Sequence, residues 1–247
     1  MQDKLVLVTG ASSGIGRAAA ELLAKRGARV LLLARNQDRL EETVRQIVAS
    51  GGIAAAYPVD LSEAEAVRTT AERIKAEHGV PDVVINNAGS GRWLPFVETS
   101  LDEARQMIEL PYLAAFYVTR LFLPEMLARS SGQIACVTSP ASHMVWRNAS
   151  AYIAARHALK GFTEALRAEL KRTRIGVTLV TLGTVSSEYW EHNPGSRERL
   201  PPSSSFLLPE LTPAEAAKTI VDAVERRRSH AVRPALYRLL FALGLNP

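Results

Sequence analysis

Thr9-Gly10-Ala11-Ser12-Ser13-Gly14-Ile15-Gly16 follows an apolar run, Leu5-Val6-Leu7-Val8, and leads into Arg17-Ala18-Ala19-Ala20-Glu21-Leu22-Leu23. That order reads as a strand, a tight glycine-rich turn and then a helix. Glycine has no Cβ and takes positive φ at little steric cost, so backbone in such a turn comes close to a phosphate. The helix that follows offers unpaired N–H groups and the positive end of its dipole to that anion. Gly10, Ser12, Ser13, Gly14, Ile15 and Gly16 therefore read as a seat for a dinucleotide pyrophosphate. A tight turn that binds nothing is the plainer alternative. Its position between a strand and a helix favours binding.

Outward from this turn, strand-like and helix-like segments alternate. Apolar strands read at 4–9, 28–34, 53–59, 82–86, 133–138 and 176–182, and helical patterns at 15–26, 37–50, 63–78, 101–129, 149–172 and 213–228. Near-continuous runs such as Val30-Leu31-Leu32-Leu33 suit strands buried on both faces. Strands joined by helices require crossovers and a parallel sheet. The fold class is therefore α/β: one doubly wound, Rossmann-type parallel sheet with helices on both faces. The last helix has a strong start signal, with Thr212 to cap it, Pro213 in the first turn and Glu215 to complete a capping box.

The whole chain, 1–247, suits a single domain with a substantial core. Its 47% hydrophobic and 22% charged content is ordinary for a globular protein. No apolar run reaches the length of a membrane span. The first strand begins almost at once, which leaves no room for a signal peptide and points to the cytoplasm. The single cysteine, Cys136, lies in an apolar run and reads as a buried structural thiol in a reducing compartment. The net charge of +5 comes without an aromatic-interleaved basic patch or a DNA-binding signature, so no nucleic-acid partner is expected. The five histidines show no metal-ligand spacing, and no metal is expected.

Several segments together resemble the short-chain dehydrogenase/reductase family. The Thr-Gly-x3-Gly-x-Gly turn is one. Asn86-Asn87-Ala88-Gly89 at the end of the fourth strand is another, and the helix segment Ala158-Leu159-Lys160-Gly161-Phe162 is a third. The resemblance runs from about residue 4 to residue 228 and implies a nicotinamide coenzyme. It places Asn87, Ala88 and Gly89 beside that coenzyme, Asp60 and Leu61 near the adenine ring, and Gly183, Val185 and Ser187 around the carboxamide. Leu182 departs from the family, which usually has proline before that glycine. Charge sets the coenzyme preference. An acidic residue at the end of the second strand would bind a ribose 2′-hydroxyl, but here Ala34 is followed by Arg35. A guanidinium suits a 2′-phosphate, so NADP(H) is expected over NAD(H), with a plain surface charge as the bland alternative for Arg35.

The resemblance also implies carbonyl–alcohol interconversion, with a tyrosine as acid and a serine that polarises the carbonyl. Tyr152 and Ser139 have the family's spacing of 13 residues. The family's next residue is a lysine four positions after the tyrosine, which holds the nicotinamide ribose and lowers the tyrosine pKa. Arg156 stands there instead. It keeps the charge and shares a helix face with Tyr152, but it is longer and planar. Lys160, one turn further, is too far from Tyr152 to replace it. A second departure is Pro111, where the family has an asparagine at a helix kink. Proline also kinks a helix and frees the carbonyl four residues back, on Met107; a straight helix over 107–111 would rule this out.

Two functional readings follow. One is an NADP(H)-dependent oxidoreductase for a ketone or aldehyde and its alcohol, with Ser139, Tyr152 and Arg156 as the catalytic set. The other is an NADP(H)-binding protein with little turnover, a redox sensor or scaffold. The stretch 186–210, rich in proline and aromatics, reads as a lid over the substrate. Trp93, His143, Met144, Val145, Trp146, Tyr189 and Trp190 are candidate pocket residues for an apolar substrate, with core or lid packing as the alternative for each. In relatives the helices at 101–129 and 149–172 pair across subunits, which implies a homodimer or homotetramer. The apolar tail from about 234 to 247 is expected to pack on a neighbouring subunit, with membrane contact the second choice.

Overall fold

In the computed structural model, residues 1–200 and 208–244 are described. Seven strands form one parallel sheet: β1 (Leu5–Thr9), β2 (Arg29–Ala34), β3 (Ile53–Pro58), β4 (Val83–Asn86), β5 (Gly132–Thr138), β6 (Ile175–Leu182) and β7 (His230–Arg233). Their order across the sheet is β3-β2-β1-β4-β5-β6-β7. The chain runs outward from β1 to β3, then returns to the middle and runs outward on the other side. The direction of winding reverses between β1 and β4, and ligands of open α/β sheets bind at the carboxyl ends of the strands at such a point.

Side chains alternate across the sheet, so each strand supplies both layers of core. Val6 and Val8 of β1 join one layer with helices α1 (Gly14–Lys25), α2 (Gln37–Ala49) and α8 (Pro213–Glu225). Leu5 and Leu7 join the other layer with α3 (Ala64–His78), α5 (Ala114–Ala128) and α6 (Ser150–Glu169). This explains why the strand sequences are apolar throughout rather than alternating. Cys136 lies fully buried in the second layer, and burial above all pushes its thiol pKa up.

The helix expected over 101–129 is divided. Helix α4 (Leu101–Ile108) passes through a π-helical turn, Glu109–Leu113, into α5. Pro111 lies inside that turn and is buried. A proline cannot donate to the helical ladder, and the widened turn absorbs the break. At α8 the Thr212–Glu215 capping box forms as expected.

The tail holds β7 and a helix, α9 (Leu236–Leu243). Its inner face packs on this chain itself: Tyr237 is buried with Met144 and Leu208, and Leu240 and Phe241 lie against them. Leu236, Leu239 and Leu243 remain exposed on its outer face. No helix among the described residues is long and apolar enough to cross a membrane.

Candidate active site

The glycine turn has the geometry a phosphate seat requires. Gly10 and Gly14 have φ of +66° and +50°, which glycine adopts without strain. A Cβ at Gly16 would lie 2.1 Å from the Gly10 carbonyl oxygen and 2.7 Å from Asn87 Nδ2, so nothing larger fits. Helices α2, α4 and α8 close their first turns with Asn36, Ser100 and Thr212. At α1, as at α3 and α6, the N-cap side chain makes no such bond, so the first N–H groups of α1 are open to an outside acceptor. The residues present therefore fit a dinucleotide.

Thr9 joins this turn to the neighbouring strand. Its Oγ1 accepts from the backbone N–H of Asn87 at 3.0 Å and of Ala88 at 2.9 Å. The Asn87 side chain donates back to the Thr9 carbonyl at 3.1 Å. The buried Asn86 amide donates to Thr119 Oγ1 at 3.0 Å. Asn87 thus ties the carboxyl ends of β1 and β4 together at the switch point, and Asn86 ties β4 to α5.

Ser139, Tyr152 and Arg156 meet beside it. Ser139 directly follows β5 and caps a short 3-10 turn, Pro140–Ser142. Its Oγ accepts from the Ala141 N–H at 3.3 Å and from the Tyr152 hydroxyl at 3.2 Å. Tyr152 and Arg156 project from the same side of α6 and are both buried. The Arg156 guanidinium lies 4.8 Å from the Tyr152 ring centroid and donates to the Ser90 carbonyl at 3.4 Å. A Cβ at Gly89 would lie 3.0 Å from its Nη1, so the last residue of the Asn-Asn-Ala-Gly segment makes room for it. Its Nε is buried without a hydrogen-bond partner. Burial works against its charge, but the neighbouring Tyr152 and Tyr189 phenols more than offset this and raise its pKa.

The stretch 186–210, read from the sequence as a lid, reaches across this group. It contains α7 (Tyr189–His192) and a 3-10 turn, Arg197–Arg199. The parts of it at 201–207, Phe206 and Leu207 among them, lie outside the described residues. The Tyr189 hydroxyl donates to the Gly91 carbonyl, and Asn193 Oδ1 accepts from the Gly91 N–H at 3.0 Å. Ser196 Oγ, fully buried, accepts from the Trp93 N–H at 3.1 Å. On the coenzyme side, Ser187 lies against Gly14, and Glu188 forms an ion pair with Arg39 of α2. Sequence reading picks out Tyr189 but misses Asn193 and Ser196; the turn Asn193-Pro194-Gly195-Ser196 is the local signal for them.

The candidate pocket residues separate into two groups. The Trp93 ring lies 5.8 Å from Tyr152 and 5.9 Å from Trp146, so an aromatic wall adjoins the tyrosine. Met144 is buried beneath α9. His143 turns away from the pocket: it stacks on Phe241 with ring centroids 4.1 Å apart, and its Nε2 lies 3.3 Å from Thr181 Oγ1. Val145 is 58% exposed. Trp190 donates to the Val185 carbonyl at 2.9 Å and faces a cleft of about 570 Å³ bounded by α1, the lid and Pro213.

At the adenosine end, Arg35 is exposed just past β2. Asp60 accepts from the Ser62 amide at 3.0 Å and hydroxyl at 2.7 Å. Burial works against the Asp60 charge, but the Ser62 bonds and the nearby Arg35 guanidinium hold its pKa below the ordinary value.

Comparison with known proteins gives the family. Residues 4–197 match the family model described as short chain dehydrogenase. The chain belongs to that family. It is 34% identical to the probable oxidoreductase EphD of Mycobacterium tuberculosis over 96% of its own length, and it spans about two fifths (42%) of that longer protein. It is 31% identical to the fatty acyl-CoA reductase of Acinetobacter baylyi, over 100% of this chain and 85% of that one. Among solved structures, a metagenomic short-chain oxidoreductase in complex with NADP superposes with a TM-score of 0.75, at 32% identity over 89% of both chains.

Proposed function

We propose that this chain is an NADP(H)-dependent oxidoreductase that interconverts a ketone or aldehyde with the corresponding alcohol on a small, largely apolar substrate. One observation carries the reading: the Tyr152 hydroxyl bonds to Ser139 at 3.2 Å, with the buried Arg156 guanidinium against the same ring. The coenzyme, when bound, supplies or accepts the hydride. The chain supplies the proton and the polarity.

Ser139 Oγ already accepts two hydrogen bonds, from Ala141 and Tyr152, so its own proton is left to donate to a substrate oxygen. That bond polarises a carbonyl and strengthens as the oxygen gains charge. Tyr152 gives its hydroxyl proton to the developing alkoxide, and in the reverse direction it takes the alcohol proton. General acid catalysis of this kind contributes about 10²–10⁴-fold. Arg156 remains cationic beside this exchange and offers guanidinium donors to ribose hydroxyls. Gly10, Ser12, Ser13, Gly14, Ile15 and Gly16 hold the pyrophosphate. Arg35 meets the 2′-phosphate, and Asp60 and Leu61 flank the adenine. Asn87, Ala88, Gly89, Gly183, Val185 and Ser187 complete the coenzyme contacts. The wall formed by Trp93 and Trp146 favours an apolar substrate.

The test offers NADPH with a panel of hydrophobic ketones and aldehydes. The proposal expects turnover that Tyr152→Phe removes. Tight NADPH binding with no Tyr152-dependent turnover would instead support the binding-protein reading. No saturable binding of either reduced coenzyme would end both.

A further inference from the structure

The indole of Trp93 bounds the space beside Tyr152, and the backbone that carries it is clamped from outside. We propose that Trp93 sets the width of the substrate: its ring closes the site next to Tyr152, so that narrow ketones and aldehydes enter and wide aryl ones are refused. The proposal rests on the reading of Tyr152 as the acid that meets the substrate oxygen.

The packing of the ring is the first observation. Trp93 is buried, with its ring centroid 5.8 Å from that of Tyr152. Trp146 backs it at 5.9 Å. Leu94, Met107 and Ile153 are buried in the same cluster as the two rings. Such interiors are close-packed, so the indole cannot swing aside without displacing its neighbours. A ketone whose oxygen meets the Tyr152 hydroxyl brings its substituents up to this wall.

The way the backbone is held is the second. Gly91 and Trp93 have both their N–H and their C=O groups bonded to the stretch 189–199. The Gly91 N–H donates to Asn193 Oδ1 at 3.0 Å, and its carbonyl accepts from the Tyr189 hydroxyl. The Trp93 N–H donates to Ser196 Oγ at 3.1 Å, and its carbonyl accepts from Arg199 Nη1 at 3.1 Å. Arg199 also pairs with Glu98 at 2.9 Å, and Arg92 Nε donates to the Pro194 carbonyl at 3.2 Å. Asn193 and Ser196 are both buried, so breaking either bond would strand a buried polar group. A φ of +135° and a Cβ position 2.9 Å from Tyr152 Cδ2 make glycine necessary at 91, where the backbone lies directly on the tyrosine ring. Connecting segments are ordinarily mobile, whereas this one is fixed at alternate residues and holds its wall in place before a substrate arrives. A fixed apolar wall discriminates by volume, at about 10–200-fold per methylene.

The test compares a narrow ketone, butanone, with a wide one, acetonaphthone, in the natural chain, Trp93→Ala and Trp93→Phe. Two readouts are taken: kcat/KM with NADPH, and the dissociation constant of each ketone by calorimetry with the oxidised coenzyme present, which needs no turnover. The ratio of acetonaphthone to butanone should rise at least about tenfold in Trp93→Ala and about threefold in Trp93→Phe, in both readouts. Ratios within about twofold of the natural one in both variants would overturn the proposal, and so would a natural chain that already prefers acetonaphthone. If the natural chain turns over neither ketone, the functional reading fails, and the calorimetric ratio alone decides the role of Trp93. If no chain binds either ketone, the proposal falls with it. If Trp93→Ala does not fold, Trp93→Phe decides.

Discussion

The Tyr152 hydroxyl donates to Ser139 Oγ at 3.2 Å, across 13 residues of chain. The bond joins the carboxyl end of β5 to the start of α6, and under the proposed function the two side chains share one task. Tyr152→Phe should lower kcat by about 10²–10⁴-fold. Ser139→Ala should cost about 10²-fold. The double variant should be little worse than Tyr152→Phe alone, because groups that act as a unit are not additive. NADPH affinity should change little in each. Steady-state rates and a binding titration check this, and losses that simply multiply would contradict a joint role.

Gly16 is the most constrained glycine of the turn. A Cβ there meets the Gly10 carbonyl at 2.1 Å, and backbone oxygen cannot swing aside as a flexible side chain could. Gly16→Ala should therefore distort the seat, with a loss of roughly 1–3 kcal/mol of stability, as for other overpacked sites. Coenzyme affinity should fall with it. Urea unfolding and an NADPH titration on the same protein measure both. An unchanged affinity would show that the turn does not seat the pyrophosphate.

Most of this architecture is legible in the sequence, for a physical reason. Strands buried on both faces are apolar throughout, so β1 to β6 stand out to within a residue or two, and the glycine turn marks the ligand end of the sheet. β7 does not stand out. Its four residues, His230 to Arg233, lie at the sheet edge with both ends exposed, and they follow a basic run. α9 reads from sequence only as an apolar tail, since nothing local says that Phe241 will stack on His143. Pro111 announces a break, but the π-helical form of that break depends on the packing around it. At the site, Ser139, Tyr152 and Arg156 are picked out by the resemblance to the family's pattern. The grip of Tyr189 and Asn193 on Gly91 spans about a hundred residues, and no local pattern encodes it.

Arg35 and Asp60 stand together at the adenosine end, near enough that the guanidinium helps to hold the carboxyl ionised. A 2′-phosphate would meet the cation directly, whereas a plain ribose hydroxyl gains little from it. Arg35→Asp should weaken NADPH by at least about tenfold, the scale of one lost charge-assisted contact, and should weaken NADH far less. Paired titrations with the two coenzymes give the ratio. If the natural chain binds NADH more tightly than NADPH, Arg35 is a surface charge and the preference is the reverse of the one proposed.

His143 gives the fold a pH dependence that is separate from catalysis. It is partly buried against Phe241, and its pKa is lowered from 6.5 to about 4, first by burial and then by the charge of Lys160. Glu164 pulls it the other way, and His230 and His157 add to the lowering. The folded chain thus keeps this imidazole neutral where the unfolded chain takes up a proton. Its contribution is fully present above about pH 6.5 and is lost as pH falls from there toward 4. His143→Phe keeps a ring for the stack and cannot titrate. Between pH 7 and pH 5 the urea midpoint of the natural chain should fall further than that of His143→Phe, since the carboxylates contribute equally to both. Parallel falls would show that His143 is protonated as easily in the folded chain as in the unfolded one.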